Sequence, residues 1–122
     1  MNPEISVVMA VYNGGDFLKK SISSILGQTF KNFELIIVND GSTDGSLNII
    51  STFSNNDDRI VVINNIKNQG LTKSLNLGCK KAKGEYIARQ DADDISIETR
   101  LDEQLSFMSN AHDIVLLGSR VN

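Results

Sequence analysis

The chain has 122 residues, 40% of them hydrophobic and 22% charged, with a net charge of -3. This is ordinary soluble composition for one domain, residues 1–122, large enough to bury a core, so disorder is not expected. The acidic balance and the scattered Lys and Arg residues offer no basic field for a polyphosphate backbone, which excludes nucleic acid as an expected partner. No apolar run approaches the roughly 18 residues of a membrane span. The N-terminal Met-Asn-Pro-Glu lacks the positive region of a secretory signal, so a cytoplasmic location is expected. The single cysteine, Cys79, cannot form an internal disulfide and reads as a small packing residue in a reducing compartment. His112 has no second imidazole or thiolate to form a zinc site and reads as structural.

Short β-branched runs at Ile5 to Val11, Phe33 to Val38, Ile60 to Ile63, Tyr86 to Ala88 and Ile114 to Leu117 predict strands buried on both faces. Between them, apolar residues recur at helical steps: Leu18, Ile22, Ile25 and Leu26; Leu47, Ile50 and Phe53; Leu71, Leu75, Gly78 and Ala82; Leu101, Leu105 and Met108. Alternating strands and helices predict an α/β fold, with a mainly parallel sheet, right-handed crossovers and helices on both faces. Ligands then belong at the carboxyl ends of the strands.

Those ends carry the polar residues. Tyr12-Asn13-Gly14-Gly15-Asp16 follows the first strand and Asn39-Asp40-Gly41-Ser42-Thr43-Asp44 the second, while Asn68-Gln69-Gly70-Leu71-Thr72-Lys73 leads into a helix. Each also reads as ordinary turn and cap chemistry, and Lys73 as a solvated cation. Convergence at one sheet edge favours a ligand: a tyrosine face for a base, an aspartate for an imide N–H, and carboxylates for a cation on a diphosphate. The carboxylates are those of Asp91-Ala92-Asp93-Asp94. In an extended backbone Asp91 and Asp93 share a face, with Cα atoms roughly 7 Å apart, and Asp94 points away. Such a pair suits one hard divalent cation, whereas Asp94 or Ser96 suits the N-cap of the helix that follows.

The segments Ser6-Val-Val-Met-Ala-Val-Tyr-Asn13, Ser24-Ile-Leu-Gly-Gln-Thr-Phe30, Phe33-Glu-Leu-Ile-Ile-Val-Asn-Asp-Gly-Ser-Thr-Asp44, Asn68-Gln-Gly70, Lys83-Gly-Glu-Tyr-Ile-Ala88 and Asp91-Ala-Asp-Asp94 occur in this order. Together they resemble the nucleotide-sugar-binding half of family 2 glycosyltransferases, over nearly the whole chain. The resemblance implies a GT-A fold, a Rossmann-like sheet truncated here, and a metal-dependent, inverting transfer of sugar from a nucleotide-diphosphate donor, UDP-linked, to a hydroxyl of a saccharide or lipid-linked saccharide. It implies that Tyr12 packs on the nucleobase and Asp40 bonds its imide, within a donor site of Ala10, Tyr12, Asn13, Asp40, Asn68, Gly70, Asp91 and Ala92. The Asp91-Ala92-Asp93 segment looks like the DXD motif, in which Asp93, with Asp91, would serve Mg or Mn.

Ala10 stands where the family often has Pro or Thr, and Glu98 where Pro is common before the Arg-Leu pair, which leaves the donor base open. The family's general base lies well beyond the DXD segment. The chain therefore reads as the N-terminal part of a longer transferase, with its base after Asn122 and its full-length form at the inner face of the membrane, typically in polysaccharide or glycolipid assembly. A catalytically inactive nucleotide-sugar-binding or regulatory module would keep the same residues. A phosphorylatable receiver is disfavoured because the acidic cluster follows the fourth strand, and a dinucleotide or P-loop enzyme because neither G-x-G-x-x-G nor G-x-x-x-x-G-K-[ST] is present.

Overall fold

The structure, a computed structural model, describes residues 2–108 and 116–118. His112, Ile114 and Val115 lie outside the described residues. Five parallel strands, β1 (Ile5–Val11), β2 (Phe33–Asn39), β3 (Ile60–Asn64), β4 (Tyr86–Arg89) and β5 (Leu116–Gly118), form one sheet in the order β3-β2-β1-β4-β5. The helices between them are α1 (Leu18–Leu26), α2 (Ser46–Asn56), α3 (Leu71–Lys81) and α4 (Arg100–Met108), with a single 3-10 turn at Gly15–Phe17 leading into α1. Among the described residues, no helix is long and apolar enough to cross a membrane.

The central strands are apolar at almost every position because both of their faces are covered. Ile5, Val7, Met9 and Val11 of β1 join Leu35 and Ile37 of β2, Leu18, Ile22 and Ile25 of α1, Ile50 of α2 and Leu101 of α4 in one core. Alternate positions, Val8, Ile36 and Val38, meet Leu75 and Cys79 of α3 on the other face. Each fully buried aliphatic side chain contributes about 1.5–3 kcal/mol relative to exposure.

Helix α3 lies close to the sheet at Gly78, where a Cβ would stand 2.4 Å from Val8 Cγ1 and 3.3 Å from Val38 Cγ2. Gly78→Ala is therefore expected to push α3 off the sheet. Overpacking outweighs the better helix propensity of alanine and costs about 2 kcal/mol net, measurable by urea unfolding. Unchanged stability would show that the α3 contact gives way freely.

At the amino end of the sheet, the Ser6 hydroxyl donates to Glu34 Oε2 at 2.5 Å, and the amides of Lys83 and Gly84 donate to Glu34 Oε2 and Ser6 Oγ at 2.7 and 2.8 Å. This ties the turn before β4 to β1 and β2. At the carboxyl end, the chain runs outward from β1 to β3 and returns to β4 on the far side of β1. That reversal opens a crevice between β1 and β4, the usual ligand position in open α/β sheets.

Candidate functional site

Three loops meet at this edge, and hydrogen bonds lock the first two together. Asn13 adopts a φ of 50°, a conformation asparagine tolerates better than most residues. Its Oδ1 accepts from the Thr43 and Asp44 amides at 2.8 and 3.3 Å, while its own amide donates to Ser42 Oγ at 3.0 Å. The Gly14 amide donates to Ser46 Oγ at 3.0 Å. The side-chain oxygen of Asn13, expected at the substrate, thus holds the second loop. Tyr12, one residue earlier, remains 51% exposed.

Asp40 is 3% exposed and gathers the third loop around itself. Its Oδ1 accepts from Asn65 Nδ2 at 2.9 Å and the Gln69 amide at 2.7 Å, and its Oδ2 accepts from Asn68 Nδ2 at 3.1 Å and the Gly70 amide at 2.9 Å. Burial opposes ionisation, but bonds from Asn65, the Gln69 and Gly70 amides and Ser74 outweigh it and hold the carboxyl below its ordinary 3.8. Gly41, at φ 73°, allows the approach, since a Cβ there would stand 2.6 Å from the Asn68 nitrogen. The result is a cavity of about 310 Å³ lined by Ala10, Val11, Tyr12, Asp40, Asn68, Gly70 and Leu71. Its half-exposed ring and fixed amide edge suit a flat, polar-edged ligand. Lys73 is exposed, as expected of a solvated cation.

Beside it, Asp91 to Asp94 form a tight turn instead of an extended segment, closed by the Asp94 amide donating to the Asp91 carbonyl at 3.1 Å. The alternation expected of a strand is lost, because β4 ends at Arg89. Asp94, expected to point away, joins Asp91 and Asp93 with one carboxylate oxygen from each within 4.8 Å of the others. Burial, and then the charges of Asp91 and Asp93, push the Asp94 carboxyl above its ordinary 3.8. An all-oxygen set under mutual repulsion fits a hard dication such as Mg or Mn. Arg89 offers partial relief through a 3.2 Å ion pair with Asp91. Neither Asp94 nor Ser96 caps α4, which begins only at Arg100; the Ser96 hydroxyl instead donates to Gln90 Oε1 at 2.7 Å.

A buried polar frame underlies the turn, and sequence reasoning missed it. Gln90 Nε2 donates to the Asp94 carbonyl at 2.8 Å and to Ser21 Oγ at 3.1 Å, and Ser21 Oγ donates to the Asp91 carbonyl at 3.0 Å. The Arg100 guanidinium reaches Gln90 Oε1 at 2.8 Å, Ser96 Oγ at 3.0 Å and the Arg89 carbonyl at 2.7 Å. The one available signal was a glutamine and an arginine flanking an acidic turn, a pattern that reads equally well as solvated surface.

The family model for glycosyl transferase family 2 matches residues 6–122. The chain is 39% identical over 104 residues to the Escherichia coli UDP-Glc:alpha-D-GlcNAc-diphosphoundecaprenol beta-1,3-glucosyltransferase WfaP, covering 85% of this chain and 41% of that protein. S. aureus TarS 1-349, solved with UDP and with UDP-GlcNAc, superposes with TM-scores of 0.81 and 0.82 at 29% identity, covering 92% of this chain and about a third of that one. The mannosyltransferase PcManGT of Pyrobaculum calidifontis, solved with GDP-Man and Mn2+, shares the GT-A fold, with a TM-score of 0.79 at 19% identity over 89% of this chain and 33% of that one. The chain spans less than half the length of these proteins. With a cavity of about 310 Å³ and an acidic turn on the carboxyl edge of a GT-A sheet, and the family model matching nearly end to end, the chain belongs to glycosyl transferase family 2.

Proposed function

We propose that the chain is the donor-binding part of a longer, metal-dependent glycosyltransferase. Its donor is a UDP-linked sugar, and its acceptor is a hydroxyl of a saccharide or lipid-linked saccharide presented at the cytoplasmic face of a membrane during surface polysaccharide assembly. The observation that carries this reading is the gathering of three carboxylates into one turn beside a cavity of base size. The UDP and UDP-GlcNAc complexes of TarS and the donor and acceptor named for WfaP support the choice of nucleotide and of acceptor class.

In this reading Tyr12 presents its ring to the base and the Asn68 to Gly70 wall meets the base edge. Asp40 acts by holding that wall, since the four lone-pair directions of its carboxylate are already engaged. Ala10 leaves room where β1 ends. Asp93 and Asp91, joined by Asp94, would hold Mg or Mn, with Asp91 and Ala92 also next to the ribose. A dication there supplies positive charge where the diphosphate leaves. The acceptor hydroxyl attacks the face opposite the diphosphate, so transfer inverts the anomeric carbon. The base that takes the hydroxyl proton lies in the part of the protein beyond this chain, so the chain alone transfers little or nothing.

Calorimetric titration of UDP with and without Mn2+ tests the reading. The expected result is binding at least about tenfold tighter with Mn2+. Equal affinity in both conditions would sink the metal role, and no binding of UDP, GDP or dTDP at millimolar concentration would sink the donor site.

A further inference from the structure

Arg100 is a cation in an unfavourable place. It is only 4% exposed, and the hydrogen bonds of its guanidinium go to neutral acceptors: the Arg89 carbonyl, Gln90 Oε1, Ser96 Oγ and, at 3.2 Å, Gln104 Oε1. Burial lowers its pKa to about 10, against a raising influence of the Asp94 charge, so it stays charged at neutral pH. Taking a guanidinium out of water is costly, and an apolar residue of similar volume commonly fills such a site at no loss of stability. The three shorter contacts share one property: they lie on the segments that lead into and out of the acidic turn. Arg89 and Gln90 precede Asp91, and Ser96 follows Asp94.

From these acceptors the restraint reaches the turn itself. Gln90, fixed at Oε1 by Arg100 and Ser96, uses Nε2 to hold the Asp94 carbonyl and Ser21, and Ser21 holds the Asp91 carbonyl. Both ends of the turn that gathers the carboxylates are therefore bonded to one relay. Gln28 extends the brace by donating from Nε2 to the Ile97 carbonyl at 2.7 Å and accepting from the Leu101 amide at 2.9 Å.

We propose that Arg100 is a positioning residue of the donor site, which acts through Gln90 and Ser21 to keep Asp91, Asp93 and Asp94 gathered before a cation arrives. The inference rests on the reading of those aspartates as the cation site. Three like charges within 4.8 Å repel one another, and a turn held only by its own hydrogen bond would spread them. A frame that offsets this repulsion in advance spares the incoming cation the cost of gathering its ligands. The role demands arginine, because the acceptors surround a planar fork and the single ammonium of lysine cannot reach them together.

The test compares Arg100→Lys and Ser21→Ala with the wild-type chain in two titrations: UDP with Mn2+ by calorimetry, and uridine without metal by amide chemical shifts. Arg100→Lys is expected to weaken Mn2+-supported UDP binding about tenfold, and Ser21→Ala about threefold, with uridine affinity unchanged. If Arg100→Lys does not fold, Ser21→Ala decides alone. Wild-type affinity for UDP and Mn2+ in the variants would overturn the inference. So would an equal loss of uridine binding, because that is what general loosening of the fold produces. A wild-type chain that gains nothing from Mn2+ overturns the reading of the aspartates as a cation site and this inference with it, whereas a wild-type gain retained in the variants overturns this inference alone.

Discussion

Asp40→Asn is expected to cost about 3 kcal/mol of stability at pH 7 and to abolish nucleotide binding, although the substitution is nearly isosteric. The carboxylate is an acceptor only, and four donors converge on it: Asn65 Nδ2 and the Gln69 amide on one oxygen, Asn68 Nδ2 and the Gly70 amide on the other. An amide in its place turns one oxygen into an NH2 group and sets donor against donor at a position only 3% exposed. The wall from Asn65 to Gly70 then loses its anchor and the cavity loses one side. The effect also has a pH signature. The folded-state pKa of Asp40 is below 3.8, so its contribution is fully present above the unfolded value and disappears as pH falls through the folded one. The stability gap between wild type and Asp40→Asn should therefore be wide at pH 7 and start to narrow only once the pH falls below about 3.8. Asp44 and Asp57, whose pKa values are also lowered, are present in both proteins and cancel in the difference. Urea unfolding at pH 7 and pH 3 gives both numbers; a gap under 1 kcal/mol at pH 7 would mean that the loop holds without its clamp.

How far the sequence could be read depended on the range of the interactions involved. The starts of β1 and β2 and the buried face of α1 follow from side chains that run together or recur within one element, so local pattern suffices for them, whereas α3 buries Ser74 and Gly78 and leaves Leu71 exposed. The acidic segment was legible as a cluster of carboxylates but not as a turn. Asp and Ser favour caps, yet Ser96 serves Gln90 and Arg100, and α4 starts later than its capping signals suggest. Asp40 was the hardest to read, because what defines it lies far away in sequence; the partners of Arg100 lie within 4 to 11 residues, but the frame they belong to is closed by Ser21 from the far end of the chain. The Asn65 to Gly70 segment fills the lone pairs of Asp40 from 25 to 30 residues downstream, and Ser21 meets Asp91 across 70 residues. An arginine beside acidic residues resembles a solvated surface until its tertiary partners are known. The resemblance to the family pointed to Asp40 as a residue that bonds the base imide, and in the structure its carboxylate oxygens accept from Asn65, Asn68 and the Gln69 and Gly70 amides.

The acidic turn should trade stability for cation binding, and two substitutions separate the terms. Asp93→Ala is expected to weaken Mn2+-supported UDP binding about a hundredfold, because one charged oxygen ligand disappears, while leaving metal-free uridine binding intact. Asp94→Asn should do something different in the absence of metal: raise the melting temperature by about 2 °C at pH 7. The folded-state pKa of Asp94 is raised by burial and then by the charges of Asp91 and Asp93. Its relative stabilisation is therefore present below 3.8 and lost as pH rises through the folded value, and at pH 7 the ionised group works against the fold. Asparagine removes that charge and can donate to Asp91, while the backbone bonds of residue 94 to Asp91 and Gln90 persist. Adding Mn2+ should reverse the order: the wild type gains more stability than Asp94→Asn because the repulsion that penalised it becomes attraction for the cation. A metal-free melting temperature that falls on Asp94→Asn would show that packing at residue 94 outweighs repulsion. Equal Mn2+ gains in both proteins would instead remove Asp94 from the cation site and leave it to Asp91 and Asp93.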